Sequence, residues 1–265
     1  MQKPGEKDVV VDEHLLHYYH IEATIQKKNT LIFLHGWGSN SSLWFSSTLK
    51  LAEQGYELIF LDLPGFGKSQ VPTKAFHLQN YADTVAHFIV KLGIQKPVLI
   101  GHSFGGKTAI RIASKKTVPL SGLILVDSSG LPHTSFTTQT KIRIAKTVKP
   151  LMDLPFMQGI KSSLLRFYGS DDYIALPELR ETFINIIREH IEFELPQIKD
   201  KTLIVWGGND DNSYTPVGDV EVFHRLIPHA EAHIIQGAGH YCFLDRPSEF
   251  YEVVLAFTES LNGKN

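Results

Sequence analysis

The chain has 265 residues, of which 43% are hydrophobic and 20% charged, with a formal net charge of -2 and a single cysteine, Cys242. This is enough chain and enough apolar content to bury a large core, and so small a net charge excludes a polycationic nucleic-acid surface and an acidic tail. One cysteine excludes an internal disulfide and a thiolate metal cage, and it points to a reducing, cytoplasmic setting.

Along the chain, Val9–Val11 and His20–Ile25 read as a short antiparallel pair, followed by the apolar run Leu31–Leu34, which ends at His35-Gly36. Ser41 and Ser42 can cap a helix over Leu43–Gln54, which Gly55 ends before the strand Leu58–Leu61. Tyr81, Val85, Phe88, Ile89 and Leu92 recur at helical spacing within Leu78–Leu92, which hands over at Gly93 to the strand Lys96–Ile100. A helix over Lys107–Ser114 and strands over Leu123–Val126 and Leu203–Trp206 come next. The alternation closes with a helix over Val220–Leu226, a strand over Ala232–Ile235 and a last helix over Pro247–Leu261. Apolar strands separated by helices specify an α/β protein with a mostly parallel sheet covered on both faces.

The alternation breaks between Ser129 and Gln197, where one helix would suffice to join two strands. The expected organisation is a core formed by residues 1–128 and 198–265, with a helical lid over 129–197. Helical candidates within the lid are Lys141–Val148, Ser162–Tyr168 and Leu179–His190. The basic, amphipathic character of 141–149 is explained by a lid helix facing its own core, and membrane association is not expected. Residues 1–11 carry no apolar leader segment and no later stretch approaches the length of a spanning helix.

Gly101-His102-Ser103-Phe104-Gly105 closes one of the strands and opens a helix. G-x-S-x-G in that place presents a serine on a sharp turn, so Ser103 is the candidate nucleophile. A serine hydroxyl needs a base, an orienter for the base, and donors for the oxyanion. His240, in Gly237-Ala238-Gly239-His240 after the last strand, has the placement of the base. The spacing by three of His14, His17 and His20 argues against a metal cluster there. Asp210, after Trp206-Gly207-Gly208-Asn209, is the favoured orienter, with Asp211 and the strand-ending Asp127 as alternatives. The oxyanion donors expected are the backbone amides of Phe104, at the start of the helix, and of Trp37, in His35-Gly36-Trp37-Gly38. Gly67-Lys68-Ser69 is not a phosphate loop, because Asp62 stands where such a loop needs glycine. Asp62 is read as structural, and Cys242 as a buried free thiol.

Taken together, HGWG at 35–38, DLPGFGKS at 62–69, GHSFGG at 101–106, WGGND at 206–210 and GAGH at 237–240 resemble the α/β-hydrolase superfamily over nearly the whole chain. The resemblance implies an α/β-hydrolase fold: an eight-stranded, mostly parallel sheet, a helical lid after strand six, and a Ser103, Asp210, His240 triad beneath it. Within the superfamily the chain is similar to small bacterial carboxylesterases and to carbon-carbon bond hydrolases. Relatives that carry an aspartate nucleophile are excluded by Ser103. The stretch from Asp210 to Pro216 is longer than the pattern requires.

The function expected is hydrolysis of a carboxylic ester of a small, apolar acyl substrate through an acyl-enzyme. The alternatives are carbon-carbon bond hydrolysis of a dienoic diketo acid and, lower, a non-catalytic ligand-binding member of the fold. No metal or organic cofactor is required, and the expected partner is a small-molecule ester or related carbonyl compound, not nucleic acid. Phe66, Phe156 and Arg166 are candidates for the substrate pocket, and Arg180 and Arg188 are further candidates for gripping a substrate carboxylate.

Overall fold

The computed structural model describes residues 3–25, 27–133, 176–212 and 214–262. Its eight strands form one sheet in the order β1-β2-β4-β3-β5-β6-β7-β8. They are β1 (Gly5–Val11), β2 (His14–Ile21), β3 (Thr30–Leu34), β4 (Glu57–Leu61), β5 (Val98–His102), β6 (Gly122–Val126), β7 (Thr202–Gly207) and β8 (Glu231–Ile235). β2 pairs antiparallel with both β1 and β4, and every pairing from β4 to β8 is parallel.

The α/β-hydrolase fold expected from the sequence is therefore present, with two local corrections. The second strand runs from His14 to Ile21 rather than from His20 to Ile25. Asp12 and Glu13 adopt φ of 49° and 65° and pair Val11 directly with His14, the two-residue turn whose twist suits a hairpin. The segment expected as one helix over 43–54 is instead three short turns, Ser41–Trp44, Phe45–Thr48 and Leu49–Gln54. Thr48, at φ -129°, leaves the helical region between the last two.

Side-chain alternation along the strands divides the core in two. Ile32, Leu34, Leu99, Leu123, Leu125 and Ile204 face one side, where they pack against α1 (Leu78–Lys91), α2 (Phe104–Lys115) and α4 (Asp219–Leu226). Leu31, Phe33, Val98, Ile100, Val126 and Val205 face the other, against Trp44, Leu51 and the helix α5 (Pro247–Asn262). Each fully buried Leu, Ile or Phe contributes about 1.5–3 kcal/mol of hydrophobic free energy, so both layers are needed for the fold. The helix α3 (Arg180–Arg188) lies between β6 and β7 in sequence.

Strand order reverses around β3 and β5: from β3 the chain steps to β4 on one side, then returns to β5 on the other. Ligands of open α/β sheets bind beyond the carboxyl ends of the strands at such a point. The loops that leave β3 and β5 there begin with His35 and Ser103.

Candidate active site

Ser103 sits between β5 and α2 at φ 51° and ψ -111°. A side chain rarely tolerates this conformation, which costs roughly 1–3 kcal/mol. It is held by hydrogen bonds from the Ser103 amide to the Val126 carbonyl at 3.0 Å and from the Lys107 amide to the Ser103 carbonyl at 3.1 Å. The sharpness of the turn depends on bare backbone: a Cβ on Gly105 would stand 2.3 Å from the Leu34 carbonyl oxygen. Phe104 opens α2, so its amide is one of the first-turn N–H groups that have no acceptor within a helix.

The loop after β3 lies against this turn, since a Cβ on Gly36 would come within 2.9 Å of His102 Nδ1 and 3.4 Å of Ser103 Cβ. His35 fixes the loop: its Nδ1–H donates to the Gly36 carbonyl at 2.7 Å, and its Nε2 accepts the Leu63 amide at 3.0 Å. Burial keeps this imidazole below its ordinary pKa, as two hydrogen bonds of opposite polarity require. The Trp37 ring packs edge-on to Phe66 and Phe104, at 4.9 Å and 5.4 Å.

The turns after β7 and β8 meet because both are stripped to backbone where they touch. A Cβ on Gly207 would fall 2.1 Å from the Gly239 carbonyl oxygen. Across this contact His240 Nδ1–H donates to Asp210 Oδ2 at 2.9 Å. Asp210 is buried, and its other oxygen accepts the Asn212 amide at 2.9 Å. Thr215 Oγ1 lies 3.1 Å from Asp210 Oδ2 and 3.0 Å from His240 Nδ1. The Trp206 indole N–H, donating to the Thr215 carbonyl at 3.0 Å, anchors that residue. The long 210–216 loop thus folds back to deliver a hydroxyl to the carboxylate–imidazole pair.

Among the three carboxylates left open by the sequence, Asp211 is exposed, whereas Asp127 and Asp210 are buried. Asp127 Oδ1 accepts the Gly207 amide at 2.8 Å. Burial pushes this carboxyl well above the usual carboxylate range. One ligating atom from each of Asp127, Asp210 and His240 lies within 4.8 Å of the others. A carboxyl whose charged form is disfavoured by burial and an imidazole already committed to Asp210 suit proton handling better than ligation of a cation.

Ser103, Phe104, Trp37 and His240 line one cavity of about 180 Å³. Phe66, expected in the pocket, is buried behind Trp37 and is not among the described residues that line this cavity. Phe183 lines the cavity in its place. Arg180 and Arg188 are exposed, while Phe156, Arg166 and the helices expected over 141–148 and 162–168 lie outside the described residues. Asp62 has the structural role expected, its oxygens accepting the Ser41 amide at 2.8 Å and the Lys68 amide at 2.9 Å. Cys242 is a buried free thiol, and burial raises its pKa far above the ordinary value.

Sequence reasoning missed His102, Thr215 and Lys107. His102 Nε2–H donates to the His240 carbonyl at 2.9 Å, and burial keeps its ring neutral. Its position beside the serine was the available signal. Lys107 follows Ser103 by one helical turn, and that periodicity could have placed it at the cavity.

A strained serine between strand and helix, sharing one cavity at the switch point of a parallel sheet with an imidazole paired to a buried carboxylate, marks the class of the α/β hydrolases. The chain belongs to the alpha/beta hydrolase family, whose model matches residues 31–253, and it is a hydrolase. It is 28% identical over 255 residues to the 2-hydroxy-6-oxononadienedioate/2-hydroxy-6-oxononatrienedioate hydrolase of Escherichia coli, covering 88% of each chain. Among solved structures it is similar to a bacterial membrane phospholipase A, with a TM-score of 0.79 and 26% identity, over 98% of this chain and 87% of that one. An esterase from Exiguobacterium antarcticum shares the fold at a TM-score of 0.73 and 21% identity, over 95% of this chain and 98% of that one. Among the described residues no helix is long and apolar enough to cross a membrane.

Proposed function

We propose that the protein is a serine hydrolase that cleaves a carboxylic ester of a small substrate through an acyl-enzyme. The observation that carries this reading is Ser103 on a strained turn in the same cavity as His240, whose Nδ1 is 2.9 Å from the buried Asp210. His240 takes the Ser103 proton as Oγ attacks the carbonyl, and the Phe104 and Trp37 amides receive the oxyanion. Asp210, seconded by Thr215, stabilises the imidazolium. His240 then protonates the departing alcohol, and water activated by the same ring releases the acid. No metal or cofactor enters this scheme. Residues 129–197 are an insertion between core segments 1–128 and 198–265, and its described residues Leu131, Phe183 and Ile186 line the cavity. A single cysteine supports a cytoplasmic site of action.

The second reading is carbon-carbon bond hydrolysis, favoured by the likeness to the Escherichia coli hydrolase over 88% of both chains. A panel of p-nitrophenyl esters of increasing acyl length, assayed beside a dienoic diketo acid, separates the two. The ester reading requires the higher kcat/KM on a short ester and its loss in Ser103→Ala. A preference for the dienoate would establish the second reading, and ester turnover retained by Ser103→Ala would exclude Ser103 as nucleophile.

A further inference from the structure

The first turn of α2 buries a cation beside the reactive serine. Lys107 is 5% exposed, lines the Ser103 cavity, and lies four residues after the nucleophile, about one 5.4 Å helical pitch along α2. Its ammonium carries three donors, and one of them reaches the Ile186 carbonyl at 2.7 Å. The nearby acids Glu189 and Glu194 favour its charge through space, but they are hydrogen-bonded to another cation, Arg111. Glu194 receives Arg111 Nε on both oxygens at 2.9 Å, and Glu189 receives Arg111 Nη2 at 2.7 Å and the Leu78 amide at 3.3 Å. Among the described residues Lys107 itself forms no ion pair. The other titratable groups around it are His190, after α3, and His133, after β6, both on the cavity wall. His133 is paired with Asp219 at 2.8 Å, so among the described residues no carboxylate forms an ion pair with the ammonium.

A buried ammonium with donors to spare and, among the described residues, no directly bonded carboxylate gains from an anion that arrives to meet it. We propose that Lys107 binds a carboxylate carried on the acyl part of the substrate, two to four carbons from the reacting carbonyl, so that the enzyme acts on monoesters of short dicarboxylic acids. This deepens, and rests on, the serine-hydrolase reading of the same cavity. The acyl side follows from the chemistry of departure: the leaving alcohol must lie beside His240, which protonates it, and the wall there is Asn212, Tyr214 and Tyr241. Lys107 enters instead from α2 and is tied to α3 through Ile186.

The test compares kcat/KM for ethyl hydrogen glutarate with that for ethyl pentanoate, its neutral counterpart of similar length. A second pair, 3-acetoxypropanoate and propyl acetate, moves the carboxylate to the alcohol. Wild type should favour the glutarate ester by about 10- to 100-fold, the range of a charged hydrogen bond, and show no such preference in the second pair. Lys107→Met should bring the glutarate preference close to unity, Lys107→Arg should retain part of it, and Lys115→Met, at an exposed lysine of the same helix, should retain it in full. If Lys107→Met does not fold, Lys107→Gln is read in its place. Calorimetry of glutarate binding to Ser103→Ala, with and without Lys107→Met, reads the site without turnover. Absence of ester hydrolysis together with Lys107-dependent glutarate binding would refute the esterase reading and leave this site standing. A glutarate preference and affinity indifferent to Lys107, or a preference that follows the carboxylate to the alcohol, would overturn it.

Discussion

His102 and His240 are joined through the backbone: the His102 ring donates from Nε2 to the His240 carbonyl at 2.9 Å, with the ring centroids 4.6 Å apart. The strand that leads into Ser103 thereby holds the loop that carries His240. Burial keeps the His102 ring uncharged, so it positions His240 without taking a proton. His102→Ala should lower kcat about 10-fold with little change in KM, the signature of a base left misplaced. The acidic limb of the pH–rate profile should stay where it is. A displaced limb would make His102 a titrating participant.

The 210–216 loop supports the same imidazole from the other side. Asp210→Asn should reduce kcat by about 1,000- to 10,000-fold, because the amide cannot hold the required tautomer or balance the imidazolium. Asp211→Asn should stay within about two-fold of wild type, since that carboxylate is exposed. Thr215→Val removes one hydroxyl contact and should cost about 3- to 10-fold in kcat. Steady-state kinetics on one ester ranks all three, and an Asp211 variant as impaired as Asp210→Asn would reverse the assignment.

Lys107 links recognition to stability. Burial pushes its pKa down to about 8 from the ordinary 10.5. Between those values the unfolded chain holds more protons than the folded one, so this group's contribution to stability rises with pH across that window; below it, the full penalty of a buried charge is present. Lys107→Met should therefore raise unfolding stability at pH 7 by about 1–3 kcal/mol, with the gain narrowing from pH 8 to 10.5. Urea titrations at several pH values read this directly. The wild-type preference for an anionic substrate in kcat/KM should fall in parallel above about pH 8, as the ammonium is lost.

Glu57 clamps three strands at the far end of the sheet. It receives His20 of β2 at 2.9 Å, Thr30 of β3 at 2.6 Å and Lys27 at 2.8 Å. The hydrogen bond from His20 leads these contacts in drawing the carboxyl down to about 2, against its burial. A carboxyl depressed on folding stabilises the protein above the unfolded value of 4.5, and that share is lost as pH falls through 2. Glu57→Gln should cost about 1–2 kcal/mol at pH 7. The gap from wild type should close between pH 4.5 and 2, and a gap constant with pH would show that packing rather than charge is at work.

The central strands were legible because each is a short apolar run bounded by glycine or a polar turn, and all six from β3 to β8 lie within a residue or two of expectation. β2 was not: its run of histidines and tyrosines is half-buried and held by partners on other strands, such as Asp8 for His17 and Glu57 for His20. The break at Thr48 was hidden because the sequence over 43–54 contains neither proline nor glycine. At the site, motif order pointed to Ser103, Asp210 and His240, since those loops follow the carboxyl ends of parallel strands of one sheet. Thr215 escaped because its contact depends on how a long loop folds back. Lys107 escaped because burial of a cation contradicts the ordinary preference of lysine for water.

The central claim, that Ser103 Oγ is activated by His240 into a nucleophile, is tested most directly by mass spectrometry of the protein after treatment with a fluorophosphonate, which traps only an activated serine. The account predicts one adduct per chain, mapped to the peptide that carries Ser103, formed at least about 100-fold more slowly in His240→Ala and absent from Ser103→Ala. A folded protein that takes up no label, or labels equally well without His240, would contradict it.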